Sequence, residues 1–197
     1  MPDSLYLNLW FPSFADAEML PRLECVLRQF PFSASRPGIG YVGVHSVSWN
    51  EPVIFEETFD YRAQPEHAMQ LAADFLHADN AYIFEAMWDL WTPGESYDSW
   101  TLQPHPVKFM IHGADFDEST SEESGHIQID LGLDTAFLFE EVELTEIGEQ
   151  RIKENIQKLV SLTAAIEKNC RVSSRLLWSE SEESLPQKLI ARLQKVH

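Results

Sequence analysis

The chain has 197 residues, of which 44% are hydrophobic and 23% charged, and a formal net charge of −18. That length and composition bury a core without metal or disulfide staples. The acidity argues against DNA, RNA and anionic membranes as partners, because each requires a basic face.

Residues 4–11 read as a strand in which Leu5, Leu7, Leu9 and Phe11 alternate with Tyr6, Asn8 and Trp10. Both faces are largely apolar, the mark of a strand covered on two sides. Leu20, Leu23, Leu27 and Phe30 then recur at helical spacing, with the regular part starting near Met19 so that Pro21 falls in the first turn. Residues 39–49 and 53–60 read as an antiparallel hairpin across Asn50-Glu51-Pro52. Pro65 suits the first position of a second helix, whose stripe is Ala68, Leu71, Ala72, Phe75 and Leu76. Residues 81–90 follow as a strand with Tyr82, Phe84, Ala86, Trp88 and Leu90 on one face.

Residues 91–103 are turn-rich, with a short strand at 99–102. Residues 107–112 and 126–131 read as a hairpin. The register that sets His112 opposite His126 pairs Ile111 with Ile127, Phe109 with Ile129 and Val107 with Leu131. On the other face it pairs Met110 with Gln128 and Lys108 with Asp130, an opposite-charge pair; a one-residue slip destroys both patterns. Residues 135–143 suggest another short strand. Residues 145–169 form the longest helix, with Ile152, Ile156, Leu159, Val160, Thr163 and Ile166 on its stripe. A strand at 172–178 and a final helix follow. Ser184 and Gln187 form a capping box for that helix, and Leu189, Ile190, Leu193 and Val196 form its apolar face.

The expected class is α+β. The order β-α-β-β-α-β over residues 1–91 is that of a ferredoxin-like unit with an antiparallel sheet. Residues 92–197 form a second α+β unit, a β-hairpin with two C-terminal helices extending or packing on that sheet. The alternative is one continuous domain, 1–197. No apolar run approaches the roughly 20 residues of a membrane span, and Met1-Pro2-Asp3-Ser4 has no secretion-signal character. Cys25 and Cys170 fit no CxxC pattern; of the two readings, a disulfide between them or two reduced, buried thiols, the thiols are favoured. A cytoplasmic location follows from these readings.

Charge is distributed unevenly. Residues 1–150 hold 27 acids against 5 lysines and arginines, whereas residues 151–197 hold 5 against 9. The simpler reading is a basic helical segment docked on an acidic body; the sharper one is an acidic body facing a basic partner.

The sequence carries no Gly-rich phosphate loop, GxSxG or HExxH, and no cofactor is expected. Six residues are candidates for a binding surface or pocket: Trp91, Tyr97, Trp100, His105, Asp115 and Asp117. Tryptophan is enriched at recognition hot spots, and imidazole beside carboxylate is the usual chemistry of a small-ligand site. His112, His126 and Asp130 are a weak metal candidate, since imidazole and carboxylate suit zinc or manganese. Lys108 on the same face and the lack of a ligand spacing favour a solvated salt pair instead. The favoured function is a non-catalytic, acidic interaction protein, of the inhibitor or immunity type, that masks a basic protein partner as a monomer or homodimer. The alternative is an enzyme or small-ligand binder using a cleft between the two halves.

Overall fold

A computed structural model describes residues 3–95, 97–118, 120–139, 143–180 and 185–194. Leu5, Leu7 and Leu9 alternate along β1 (Ser4–Trp10) and are fully buried, which fixes the inner face of that strand. The inner face continues through β2 (Ile39–Ser46), β4 (Asn80–Pro93), β5 (Trp100–His112) and β6 (Ile127–Leu133). Val42, Phe84, Phe109 and Ile129 are among its buried residues. With β3 (Val53–Ala63) and β7 (Ser174–Ser179) as edges, the described strands form one antiparallel sheet in the order β3-β2-β4-β5-β6-β1-β7.

Helices α1 (Asp16–Gln29), α2 (Pro65–Ala73), α4 (Glu146–Asn169) and α5 (Leu185–Gln194) add Leu23, Ala68, Ile156 and Leu189 to the same core cluster. The class is therefore α+β, with a five-residue helix α3 (Thr120–Ser124) besides. Among the described residues no helix is long and apolar enough to cross a membrane.

The strand order is not that of a ferredoxin-like unit. There β1 would lie beside the later strands of its own unit; here it pairs with β6 and β7, and β5 and β6 separate it from β4. Strands from residues 1–91 and 92–197 thus share one sheet, larger than the sequence suggested. The interior place of β1 matches its apolar character, but its second face is not sealed by a full layer. Tyr6 stacks on Trp178 of β7 at 4.9 Å, Gln128 Nε2 donates to Asn8 Oδ1, and Trp10 Nε1 donates to the Ser121 carbonyl in α3.

Local elements follow their sequence signals with corrections. Helix α1 begins at Asp16 rather than near Met19, so Pro21 lies inside it. The start is fixed by Glu18, whose carboxylate accepts from the Ala15 N–H and from Ser13 Oγ. Helix α2 has Pro65 at its first turn as expected, but ends at Ala73, before Phe75 and Leu76. Thr145 caps α4, its Oγ1 accepting from the Gly148 N–H. Val160, placed on the α4 stripe from sequence, is half exposed. On α5, Leu189 is buried whereas Ile190 is exposed; the Ser184 cap and Val196 lie outside the described residues. The strand expected over residues 135–143 is instead a 3-10 turn, Asp134–Ala136, followed by irregular chain to Phe139; residues 140–142 lie outside the described residues.

The hairpin register holds: Ile111 faces Ile127, Phe109 faces Ile129, Met110 faces Gln128 and Lys108 faces Asp130. The expected Lys108–Asp130 ion pair is replaced by one to Glu85, at 3.6 Å, which lies opposite Lys108 on β4. Asp130 turns back and accepts from the Gly132 N–H.

Cys25 and Cys170 are not reduced thiols: they form a disulfide between α1 and the C-cap of α4, with Cα atoms 5.7 Å apart. The bond removes one support for a cytoplasmic location, since such bonds persist mainly in oxidising compartments.

Candidate functional site

The stretch read as turn-rich, residues 91–103, is mostly strand. β4 and β5 pair continuously from Ala81–His112 to Pro93–Trp100, closed by a turn in which Gly94 and Ser99 are hydrogen-bonded. Pro104 and Pro106 sit inside β5, which sequence rules disfavour. They are tolerated because the β6 ladder stops at Lys108–Asp130, so that side of β5 has no neighbour needing their N–H groups.

Where β6 leaves the ladder, a pocket of about 270 Å³ opens beside the hairpin. Gly132, with φ of +80°, turns the chain away there, a conformation that side chains disfavour. One wall is hairpin: Trp91, Pro93, Trp100 and Pro106. The second is the end of β6 with the 3-10 turn, Leu131, Leu133 and Ala136. Phe139 and Ile152 of α4 close it. The polar lining is Thr92, Thr135 and His105.

Each wall is held by named contacts. Asn155 of α4 is fully buried; its Oδ1 accepts from the Trp91 N–H, and its Nδ2 donates to the carbonyls of Trp91 and Ala136. One side chain therefore ties helix, hairpin and 3-10 turn together. Arg192 of α5 donates to the carbonyls of Leu138 and Phe139 and pairs with Glu149 at 2.6 Å, fixing the segment that carries Phe139. The guanidinium of Arg151 lies 3.8 Å from the Trp91 ring centroid. Gly148 lets the first turn of α4 approach Trp100, where a Cβ would meet Cζ2 at 3.2 Å.

His105 provides the pocket's titratable group among its lining residues. Its Nε2 lies 2.7 Å from Thr92 Oγ1. Thr92 Oγ1 also donates, at 3.4 Å, to the Leu90 carbonyl. The short contact is a hydrogen bond in either tautomer, with His105 donating to Thr92 or Thr92 donating to His105. Among the described residues Nδ1 has no partner. Burial pushes the imidazole below its ordinary value, so it is neutral at neutral pH.

Trp91, Trp100 and His105 thus meet in one pocket. Tyr97, more than a third exposed, touches it through an edge contact with Phe139 at 5.5 Å. Asp115 and Asp117 do not join them: they follow β5 at its other end, and the seven residues from His105 to His112 span about 23 Å of strand. There Trp49, His112 and Phe116 form a separate aromatic cluster, and the Asp117 N–H donates to the Val47 carbonyl.

The metal candidate is also dispersed. His112 Nδ1 donates to the Gly125 carbonyl at 2.8 Å, His126 Nδ1 accepts from the Phe11 N–H at 2.9 Å, and Asp130 serves Gly132. Among the described residues no cluster of three or more His, Cys, Asp or Glu is placed to hold a metal. Sequence reasoning missed Thr92, Gly132, Ala136, Phe139 and Ile152; they come from distant elements and share no local signal.

Burial lowers the pKa of His112 and His126 as well as His105. Each folded value lies below the unfolded one, near 6.5. Their contribution to stability is complete above about pH 6.5 and is lost as pH falls from there through the folded values, because the unfolded chain takes up protons first. For His126 the chemistry is direct, since a protonated Nδ1 no longer accepts from Phe11. An NMR titration of the imidazole signals should find all three midpoints below that of free histidine. A His126 midpoint at or above it would refute the assignment.

In comparisons with protein-family models, curated proteins and solved structures, nothing matches this chain.

Proposed function

We propose that this chain is a non-catalytic binding protein whose recognition site is the pocket between the β4–β5 hairpin, the end of β6 and α4. The observation that carries this reading is the lining: apolar walls from three separate elements enclose about 270 Å³ around one neutral imidazole. Apolar walls with a few placed polar groups are the usual make-up of ligand sites. The lining holds neither a carboxylate nor a thiol to act as nucleophile or general acid with His105.

The test is a fragment titration followed by NMR on the indole N–H signals of Trp91 and Trp100, in the wild type and in Ala136→Phe. Small neutral aromatic fragments should move both signals in the wild type. The variant, whose added ring occupies the cavity, should lose at least about tenfold in affinity, as expected when buried apolar contacts of a small ligand are removed. Binding that survives Ala136→Phe unchanged would sink the proposal.

A second reading, capture of a basic protein, is supported by the exposed acids Glu51, Glu56, Glu57 and Asp60 along the β2–β3 hairpin, where Arg62 is the neighbouring base. Such steering weakens with salt. It is separated from the first reading by its indifference to Ala136→Phe and its loss when Glu56 and Glu57 are changed to lysine.

A further inference from the structure

We propose that the outward face of the sheet is a self-association surface, on which a second copy of this chain docks about a twofold axis lying between β5 and β6. The proposal is independent of the pocket and of what the pocket binds.

Strand register builds the face. One row of Cα partners crosses six strands, from Tyr41 on β2 through Glu85, Lys108, Asp130 and Tyr6 to Trp178 on β7. The neighbouring row is Gly43, Ile83, Met110, Gln128, Asn8 and Leu176. Both rows alternate with the buried residues, so they point away from the core to which α1, α2, α4 and α5 contribute. The solvated face of an antiparallel sheet is ordinarily polar. Here Tyr6, Tyr41, Ile83, Met110, Leu176 and Trp178 are each at least partly exposed.

Charge says what can cover this face. The chain carries −18, so two copies repel wherever acids meet. The two rows hold Glu85, Lys108 and Asp130 and no further charged residue, and Lys108 sits between the two acids. That order is self-complementary. Two sheets pack face to face with their strands nearly aligned. An in-plane twofold axis along the strands, midway between β5 and β6, reverses the row in the second copy. Lys108 then faces Asp130 of the second copy, and Asp130 faces its Lys108. Tyr41 faces Trp178 of the second copy, and Glu85 faces its Tyr6. With the axis on β5, Lys108 would face Lys108 and Glu85 would face Asp130. An axis between β4 and β5 keeps an opposite-charge pair, Glu85 with Lys108, but leaves Trp178 beyond the edge of the second sheet. The central axis alone among these combines opposite charges with cover for the whole row.

Five strand spacings and two rows make a patch of about 24 by 13 Å. That is about 300 Å² in plane, under the roughly 800 Å² per partner of a standard interface, so the dimer should be weak, with a dissociation constant of about 10–100 µM. Sedimentation equilibrium of the full chain from about 5 to about 500 µM covers that range. Added salt should tighten the dimer, because it screens the repulsion between two acidic bodies, whereas capture of a basic partner weakens with salt. Lys108→Asp alone and Asp130→Lys alone should each weaken the dimer at least about a hundredfold, since like charges then meet at two symmetric places. Mixing the two variants restores opposite charges at both places and should recover dimers. A variant that merely damaged the fold would not be rescued by mixing, and the wild-type series needs no variant. A wild type that stays monomeric throughout the range at high salt would overturn the proposal. So would two variants that dimerise as the wild type does, or a mixture that stays monomeric. Dimers of Asp130→Lys alone would reject the axis between β5 and β6 in favour of the one between β4 and β5.

Discussion

Replacing Asn155 by aspartate should destabilise the fold by about 3–5 kcal/mol at neutral pH, the range seen when a buried charge is left without a partner. The change is isosteric, so packing is kept and only hydrogen-bonding chemistry alters. Oδ1 would still accept from the Trp91 N–H, but the group replacing Nδ2 would be an oxygen facing the Trp91 carbonyl at 2.9 Å and the Ala136 carbonyl at 2.8 Å. An ionised carboxylate there is repelled by both carbonyls and shielded from water. A protonated one can donate to a single carbonyl and leaves the other unpaired. The folded pKa of the new carboxyl would therefore rise above its unfolded value near 3.9. The penalty should be smallest below about pH 4, where one unpaired carbonyl remains, and grow as pH rises through the folded pKa. Urea midpoints for wild type and variant at acid and neutral pH measure this. A loss under about 1 kcal/mol at neutral pH would show that Asn155 does not hold hairpin, helix and 3-10 turn together. Because Trp91 and Ala136 line the pocket, ligand binding should fall with the same variant even where it remains folded.

What sequence could and could not foretell divides along physical lines. The β5–β6 register was legible because Phe109, Ile111, Ile127 and Ile129 all require one face and a slip would expose them. The partner of Lys108 was not: the residues across β6 were in view, but Glu85 on β4 became a neighbour only once β4 and β5 paired. The apolar character of β1 marked it as an interior strand. Nothing in Leu5, Leu7 and Leu9 says which strands flank it, so the ferredoxin-like order was an inference from succession alone. Pro104 and Pro106 hid the outer half of β5, since a proline is excluded from a strand only when its missing N–H is needed, and here the ladder has already ended. For the site, aromatic density in residues 88–100 pointed to Trp91 and Trp100, and His105 was legible beside them. Their walls, Leu131, Ala136, Phe139 and Ile152, depend on long-range packing and were not. Asp115 and Asp117 were grouped with His105 by sequence proximity, which strand geometry undoes, since an extended chain carries residues apart by about 3.3 Å each.

The disulfide supports the other large expected effect. Cys25 and Cys170 are 145 residues apart, so the bond closes most of the chain into a loop. On the chain-entropy account a loop of that length restricts the unfolded ensemble by about 5 kcal/mol, the top of the range observed for single disulfides. The Cys25→Ser, Cys170→Ser double variant should therefore lose about 3–5 kcal/mol of stability. Its native contacts should change little, because α1 and α4 also pack against each other, and both contribute buried residues, Leu23 and Leu27 from α1 and Leu162 and Ile166 from α4, to the same core. In urea unfolding the wild-type midpoint should fall on addition of a thiol reductant, and the double variant should be indifferent to it. The pocket lies on other elements, apart from Ile152 near the start of α4, so binding of aromatic fragments there in native buffer should be unchanged. That pairing of outcomes separates a staple acting on the unfolded chain from a bond that shapes the site. A wild-type midpoint unmoved by reductant, with two thiols titrating in the untreated protein, would restore the sequence reading of two reduced cysteines and with it the argument for a reducing compartment. A midpoint that falls while binding is kept would instead place the bond among the elements that hold the fold and leave recognition to the pocket.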